Sequence, residues 1–342
     1  MEPRRIKIAF TDFWDGFDPK DNFFTPILSR LGEVELSDEP DYLFYSVFGN
    51  DHLAYDCVKI FYSGENQAPD FNLCDYALGF ERLEFGDRYL RLPNWMLYPA
   101  DVARMEHKHD IPDGEWLAGR DGFCAFICSN DNASPERDLF FDRLSAWKQV
   151  SSGGRHRNNV GGPVADKQAF LKGYRFSIAF ENCSHPGYTT EKIVQAFGAG
   201  NIPIYWGDPL IAETFNRESF INCHDYDDWD GVVKAVQAIE ADPARQLAML
   251  HAPALADPAT PQRFLEDLTA FLEAILSQTP DQARRFSRDY WGARYRKQAT
   301  LREKAYRCSL RGLAETFYKK TLWKARRSNS LLWKLDRLLK RK

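Results

Sequence analysis

The densest group of residues that could do chemistry lies in the segment YRFSIAFENCSHPGYTTEKIVQAFGAGNIPIYWGDP, residues 174–209. An apolar, strand-like run ends at Phe180, a polar loop containing Tyr188 follows, and Glu191 and Lys192 open a helical pattern. A helix N-terminus attracts anions because its N–H groups and dipole favour negative charge, and Lys192 adds a full positive charge. The arrangement suits a sugar joined to a diphosphate. Spacing alone fits equally well a capped helix with a solvated first turn.

Strand-like apolar runs alternate with helical patterns throughout the chain, which is typical of parallel sheets covered on both faces. The predicted strands are Ile6–Phe10, Tyr42–Val47, Cys57–Tyr62, Tyr76–Gly79, Phe123–Cys128, Arg175–Phe180, Ile202–Trp206 and Phe220–Cys223. The predicted helices are Pro135–Val150, Asp166–Leu171, Thr190–Ala199 and Asp228–Glu240. We interpret the proline-containing stretch from Arg91 to Gly122 as an irregular connection between two doubly wound α/β domains.

Doubly wound sheets bind ligands at the carboxyl ends of their strands, so loops after strands are the places to search. The sequence contains no GxxxxGK[ST] phosphate loop. After the first strand it reads FTDFWDGFD, which is not the GxGxxG of dinucleotide-binding folds. An ATPase or a nicotinamide-dependent dehydrogenase therefore loses most of its support.

The composition is that of an ordinary soluble globular protein, with 342 residues of which 44% are hydrophobic and 27% are charged. No apolar run approaches the ~20 residues that a membrane-spanning helix needs. The N-terminal sequence MEPRRIKIAF lacks the apolar core and the cleavage site of a secretory signal. The seven cysteines are scattered and do not suggest a disulfide framework, so we expect a cytosolic protein.

The net charge of −4 hides a division of the chain. Residues 281–342 hold 20 Lys and Arg against 5 Asp and Glu, whereas the preceding residues hold 25 against 44. The segment SNSLLWKLDRLLKRK predicts a helix with a leucine face and a basic face, which is typical of binding to an anionic membrane surface. Packing of this tail on the acidic body is the alternative. Nucleic acid is disfavoured because aromatic and basic platforms are lacking elsewhere.

The segment FSIAFENCSHPGYTTEKIVQAFGAGNIPIYWGDP closely resembles the signature of the α-1,3-fucosyltransferases, glycosyltransferase family ten, approximately FxxxFEN…GYxTEKxxxAxxxGxIPIYWG. Upstream, FYSGENQAPDFNLCDYALGFERLEFGDRYLRLP resembles the acceptor-domain signature of the bacterial members, and the resemblance spans roughly residues 40–275. It implies a B-type glycosyltransferase fold, with two Rossmann-like domains facing each other across a cleft. We expect an acceptor-binding domain over residues 1–120, a nucleotide-sugar-binding domain over residues 121–280 and a basic helical tail over residues 281–342.

The same resemblance implies a reaction. Members of the family transfer L-fucose from GDP-fucose, with inversion, to the 3-hydroxyl or sometimes the 4-hydroxyl of N-acetylglucosamine in lactosamine-type glycans such as those of lipopolysaccharide. It implies GDP-fucose and an N-acetyllactosamine-type acceptor as partners, no cofactor and no essential metal. The expected place is the cytoplasm, peripheral on the inner face of the cell membrane. A transferase for another nucleotide sugar and a non-catalytic carbohydrate-binding protein stay open as alternatives.

Inverting transfer requires a base that removes the proton of the acceptor hydroxyl and cations that stabilise the departing diphosphate. Glu65, in the loop SGEN, matches the proposed base of the family, and Glu81 and Glu84 are weaker candidates. Arg157, in GGRHRNNVGG, matches the phosphate-contacting arginine of the family. Lys192 is expected to share the charge of the diphosphate.

The other expected donor contacts follow the signature. Tyr188 and Glu191 match donor-contact positions, with Glu191 on the hydroxyls of ribose or fucose. Glu181 and Asn182 match the FEN element and are expected to bind fucose or to order the loop. His185 is interpreted as a residue that lines the loop.

Overall fold

The computed structural model describes residues 4–129 and 132–317. The first sheet is built from the N-terminal part of the chain. Its elements are β1 (Arg5–Thr11), α1 (Thr25–Leu31), β2 (Glu33–Leu36), β3 (Tyr42–Tyr45), β4 (Val58–Tyr62), β5 (Tyr76–Gly79) and β6 (Tyr89–Arg91). The strands are parallel and lie in the order β2-β1-β3-β4-β5-β6. Every residue of β3 and β4 is buried, because a parallel sheet is covered on both faces.

Two helices lie between the sheets, α2 (Pro99–Glu106) and α3 (Asp113–Ala118). The interpretation of this stretch as irregular is therefore wrong. Pro99 is in the first turn of α2, and Pro112 is the N-cap residue of α3. Proline is tolerated at a helix start, where its missing N–H has no helical partner to lose. The prolines that suggested a loop mark the beginnings of helices.

The second sheet follows. Its elements are β7 (Gly122–Phe126), α4 (Glu136–Trp147), β8 (Val150–Ser152), α5 (Lys167–Lys172), β9 (Tyr174–Phe180), α6 (Glu191–Gly198), β10 (Ile202–Trp206), β11 (Ile221–Asn222), α7 (Trp229–Glu240) and α8 (Pro243–His251). The strands are parallel in the order β11-β10-β9-β7-β8. The two sheets confirm the predicted pair of Rossmann-like α/β domains.

Each sheet has one point where its strand order reverses, between β1 and β3 in the first and between β7 and β9 in the second. At such a point the loops after neighbouring strands lead away in opposite directions and leave a crevice at the carboxyl ends. The loops after β1, β3, β7 and β9 are therefore the ones that the topology prepares for a ligand.

The chain returns to the first domain after the second sheet. Helix α9 (Thr260–Leu276) buries Leu268 and Leu272 in the same core as Ile6 and Ile8 of β1. Helices α10 (Tyr290–Cys308) and α11 (Leu310–Phe317) follow. We expected the region of α9 to belong to the nucleotide-sugar domain, whereas in the structure it packs on the first sheet.

The described part of the basic segment packs on the acidic surface of the first domain. Arg288 Nη1 lies 3.2 Å from Oδ1 of the fully buried Asp75, and Arg307 Nη2 lies 2.7 Å from Asp51 Oδ1. The leucine-rich helix predicted within residues 328–342 lies outside the described residues. Within residues 4–129 and 132–317, no helix has both the length and the apolar character needed to cross a bilayer.

Helix α6 joins the two domains. Its residues Ile193 and Phe197 lie in the hydrophobic core of the first domain. Helix α2 packs closely against α6, since a Cβ added to Gly198 of α6 would lie 3.0 Å from Arg104 Cβ of α2. Gln195 Nε2 also donates a hydrogen bond of 3.0 Å to Asp101 Oδ2 of α2. The start of α6 is therefore held at a fixed place relative to the first sheet.

Candidate functional site

A cavity of about 800 Å³ lies between the two domains, at the carboxyl ends of both sheets. This volume is within the ~300–1,000 Å³ range that is typical of small-molecule sites. The first-domain wall comes from the loops after β1, β3 and β4 and includes Trp14, Phe17, Phe48, Gly64 and Glu65. The second-domain wall comes from the loops after β7 and β9 with the starts of α4, α5 and α6, and includes Arg137, Lys167, Asn182, Tyr188, Glu191 and Lys192.

Glu65 stands on the first-domain wall, just after β4. Its backbone N–H donates to Ser63 Oγ at 3.1 Å, and Ser63 Oγ donates back to Glu65 O at 2.7 Å, which fixes the turn. The Tyr188 hydroxyl lies 3.5 Å from Glu65 Oε2. Glu65 is solvent-exposed, yet the cleft walls partly desolvate its carboxyl and raise its pKa; Lys192 opposes this rise and Glu191 adds to it. A raised pKa makes the carboxylate a stronger base.

Glu181 is fully buried at the end of β9 and positions Lys192. Its Oε2 accepts hydrogen bonds from Lys192 Nζ at 2.7 Å and from Thr190 Oγ1 at 2.6 Å, and its Oε1 accepts from Thr190 N at 2.7 Å. Burial lowers the pKa of Lys192, but the Glu181 and Glu191 carboxylates outweigh this effect and raise it overall. Lys192 therefore carries its charge at neutral pH. Glu181 also occupies one N–H group at the helix start where an anion was predicted to bind.

Arg137 and Lys167 join Lys192 on this wall, and neither was predicted from the sequence. Arg137 lies in the first turn of α4, and its Nη1 donates to Asn182 Oδ1 at 3.1 Å. Burial raises the pKa of Glu191, but Lys192 and Lys167 outweigh this effect and hold it below its ordinary value. Topology could have indicated Arg137, because this residue lies in the first turn of α4, the helix that follows β7 at the switch point.

Arg157 is not among the described residues that line the cavity. It sits in a loop with a positive φ of 54°, which turns the side chain towards α4. There its guanidinium lies 4.8 Å from the centre of the Phe141 ring, forms an ion pair with Asp142, and approaches Asp138 at 3.8 Å. The role expected for Arg157 stays a prediction that its position does not support.

Buried polar contacts shape the loop between β9 and α6. Gly187 has a φ of 86°, and a Cβ there would lie 2.6 Å from Phe80 O, so the loop requires glycine. Gly187 N donates to the buried Asp208 Oδ1 at 2.8 Å. His185 Nε2 lies 3.2 Å from Glu81 Oε2, which ties Glu81 to this loop outside the cavity wall.

Models of known protein families match both halves of the chain. The model described as "Alpha-(1,3)-fucosyltransferase FucT N-terminal domain" matches residues 8–98. The model described as "Glycosyltransferase family 10 (fucosyltransferase) C-term" matches residues 117–250. The first range contains most of the first sheet and the second range contains the whole second sheet.

Similar proteins and structures agree with these matches. The alpha-(1,3)-fucosyltransferase FucT of Helicobacter pylori is 34% identical over 288 residues, which are 73% of this chain and 60% of that protein, so the chain covers less than two thirds of this relative. A crystal structure of an alpha1,3-fucosyltransferase is 30% identical with a TM-score of 0.71, over 81% of this chain and 91% of that one. A crystal structure of alpha1,3-fucosyltransferase with GDP-fucose is 29% identical with a TM-score of 0.66, over 80% and 92%.

Proposed function

This chain belongs to glycosyltransferase family 10, the fucosyltransferases, and we propose that it transfers L-fucose from GDP-fucose to a glycan acceptor. The acceptor is a lactosamine-type glycan, such as that of a lipopolysaccharide O-antigen, and the reacting group is the 3-hydroxyl or 4-hydroxyl of N-acetylglucosamine. The observation that carries the proposal is the shared cavity, where Glu65 of the first domain faces three cations of the second. Inverting transfer needs these two elements on opposite sides of one reacting carbon.

The second-domain wall is proposed to hold the donor. Lys192, Lys167 and Arg137 supply the positive charge that a diphosphate requires both when it is bound and when it departs. Arg137 takes the role expected for Arg157, because its planar guanidinium lies on the wall and suits paired phosphate oxygens. Glu191 is held ionised, so it accepts hydrogen bonds from sugar hydroxyls. These side chains take the part that a metal plays elsewhere, so the proposal includes no metal and no cofactor.

The first-domain wall is proposed to activate the acceptor. Glu65 removes the proton of the attacking hydroxyl while that oxygen bonds to the anomeric carbon of fucose. The bond from this carbon to the diphosphate oxygen breaks on the opposite face, and GDP departs with the bonding electron pair. Attack and departure on opposite faces give inversion. The raised pKa of Glu65 supports this role, since a base is most effective when its pKa approaches the working pH.

The experiment incubates the protein with GDP-fucose and N-acetyllactosamine and determines the product linkage by NMR. An α-1,3-linked or α-1,4-linked fucosyl product supports the proposal. Transfer only from a different nucleotide sugar would favour a related transferase with another donor. Glycan binding without turnover, and unaffected by GDP, would favour a carbohydrate-binding protein.

We also propose that the enzyme works in the cytoplasm on the inner face of the cell membrane. The support is the alternation of leucine and basic residues within residues 328–342, since each basic residue near an anionic surface contributes about 1 kcal/mol. Co-sedimentation with anionic vesicles tests it. Deletion of residues 318–342 is expected to abolish sedimentation, and binding that survives the deletion would contradict the proposal.

A further inference from the structure

A second cavity, of about 780 Å³, lies beside the first. The loops after β1 and β3 form its inner wall, and Glu303, Tyr306 and Arg307 of α10 form its outer wall. Phe48 lines both cavities, so the two spaces adjoin at the switch point of the first sheet. The proposed reaction uses only the first cavity.

Ser46 brings a buried hydroxyl to the wall of the second cavity. The residue is only 2% exposed and lines the cavity. Its Oγ has no hydrogen-bond partner in the described part of the chain. Buried hydroxyls are almost always paired, and a hydroxyl can both donate and accept. Ser46 therefore suits a ligand that carries hydroxyl groups.

Exposed aromatic rings connect the two cavities. Trp14 lines the first cavity, Phe48 lines both and Tyr306 lines the second, and these residues are 40%, 44% and 40% exposed. The Trp14 and Phe48 rings meet edge to face with centroids 6.4 Å apart. Neighbouring exposed apolar groups mark binding surfaces, and the apolar C–H faces of sugar rings pack well on aromatic rings.

Carboxylates outnumber cations around the second cavity, with Asp12, Asp51, Asp70 and Glu303 against His52 and Arg307. His52 Nδ1 lies 2.7 Å from Asp12 Oδ2, and Arg307 Nη2 lies 2.7 Å from Asp51 Oδ1. Asn50 Nδ2 also donates to Glu303 Oε2 at 2.9 Å, which closes α10 onto the loop after β3. This excess of carboxylates repels an anionic ligand, and the carboxylate oxygens can accept hydrogen bonds from the hydroxyl groups of a neutral glycan.

We propose that the second cavity is a distal acceptor subsite, which binds the sugar units beyond the reacting N-acetylglucosamine of a longer glycan. The glycan contacts Phe48 where the two cavities adjoin, and its distal sugar units contact Tyr306 and Ser46. Helix α10 thereby completes the acceptor site in addition to covering the first sheet. The inference rests on the proposed function, because it assumes that the first cavity holds the reacting end of a glycan.

Calorimetric titration without any donor tests the subsite. The probes are N-acetyllactosamine and a linear hexasaccharide of three such units, and the measured quantity is the ratio of their Kd values. We expect the hexasaccharide to bind about tenfold more tightly to the full chain. Tyr306→Ala is expected to reduce the ratio to about two, and Ser46→Ala, which removes only the hydroxyl, to reduce it about threefold.

The matched control is Tyr290→Ala, on the same helix, since Tyr290 is 91% exposed and lines neither cavity. Equal affinity for both glycans in the wild type, or a ratio that survives both Tyr306→Ala and Ser46→Ala, would overturn the inference. A protein that fucosylates the disaccharide and shows no length preference refutes the subsite alone. A protein that prefers the hexasaccharide but transfers no fucose refutes the reaction and supports the subsite.

Discussion

The two walls of the cavity between the domains are built in opposite ways. On the second-domain wall, Lys192 is fixed by hydrogen bonds to the fully buried Glu181 and to Thr190, and cations and carboxylates line the cavity. On the first-domain wall, Trp14 and Phe48 expose aromatic surface beside the carboxylates of Glu65, Asp18 and Asp21. A preorganised charge network suits a ligand of fixed charge geometry, such as a diphosphate. An open aromatic wall suits a neutral glycan, whose reacting hydroxyl meets Glu65.

The largest expected effect comes from Glu65 on the aromatic wall. Glu65→Gln keeps the shape of the side chain and removes the base, so kcat is expected to fall by at least ~100-fold. GDP affinity, measured by calorimetry, should stay within about twofold because the second-domain wall is unchanged. Glu81→Gln is the control, since Glu81 contacts His185 and does not line the cavity. Full turnover in Glu65→Gln would place the base elsewhere.

The charged wall is tested by two arginines that the structure separates. Arg137→Ala is expected to weaken GDP binding by about 30-fold or more, because loss of one partner of a buried charge pair costs at least ~2 kcal/mol. Arg157→Ala should leave GDP binding unchanged, since Arg157 pairs with Asp142 away from the cavity. Calorimetric titration with GDP measures both. The reverse order of effects would restore Arg157 as the phosphate contact.

The pH dependence of kcat/KM tests whether Glu65 is the base. Desolvation raises the pKa of Glu65, so its carboxylate takes up a proton at a higher pH than an ordinary glutamate. The base acts only when it is deprotonated; kcat/KM is therefore expected to be full above this pKa and to fall about tenfold per pH unit below it. The acid limb should vanish from the residual activity of Glu65→Gln. A fall in kcat/KM at the ordinary glutamate pKa, or one that persists in Glu65→Gln, would contradict the role of Glu65 as the base.

The smallest effect is expected on the aromatic wall itself. Trp14→Ala removes part of a contact surface that contributes about 1 kcal/mol, so the KM for the acceptor should rise about fivefold. The Kd for GDP should not change. Trp147→Ala is the matched control, because Trp147 is 41% exposed against 40% for Trp14 and does not line the cavity. An equal rise in KM for both variants would show that Trp14 has no acceptor contact.

The sequence predicted the second-domain wall best because most of it is local. Asn182, Tyr188 and Lys192 lie within one loop and the helix that follows it, so their spacing already places them together. Arg137 was not predicted, because it lies on α4, outside this segment. Arg157 was predicted to contact phosphate, but its backbone turn directs the side chain towards α4.

Long-range packing explains what the sequence did not predict. The helix at Pro99–Glu106 was hidden by its own N-terminal proline. The second cavity brings together Ser46 and Tyr306, which are 260 positions apart in the sequence, and no local sequence pattern predicts that they lie close together. Charge counts indicated that the basic segment meets something anionic, and long-range packing makes the buried Asp75 of the first domain the partner of Arg288.

The most direct test of the shared cavity is a crystal structure of the protein with bound GDP. We expect the diphosphate oxygens within hydrogen-bond distance of Lys192 and Arg137, and the Glu65 carboxylate on the facing wall across an open acceptor space. A nucleotide bound outside this cavity, or a diphosphate held by Arg157, would contradict it.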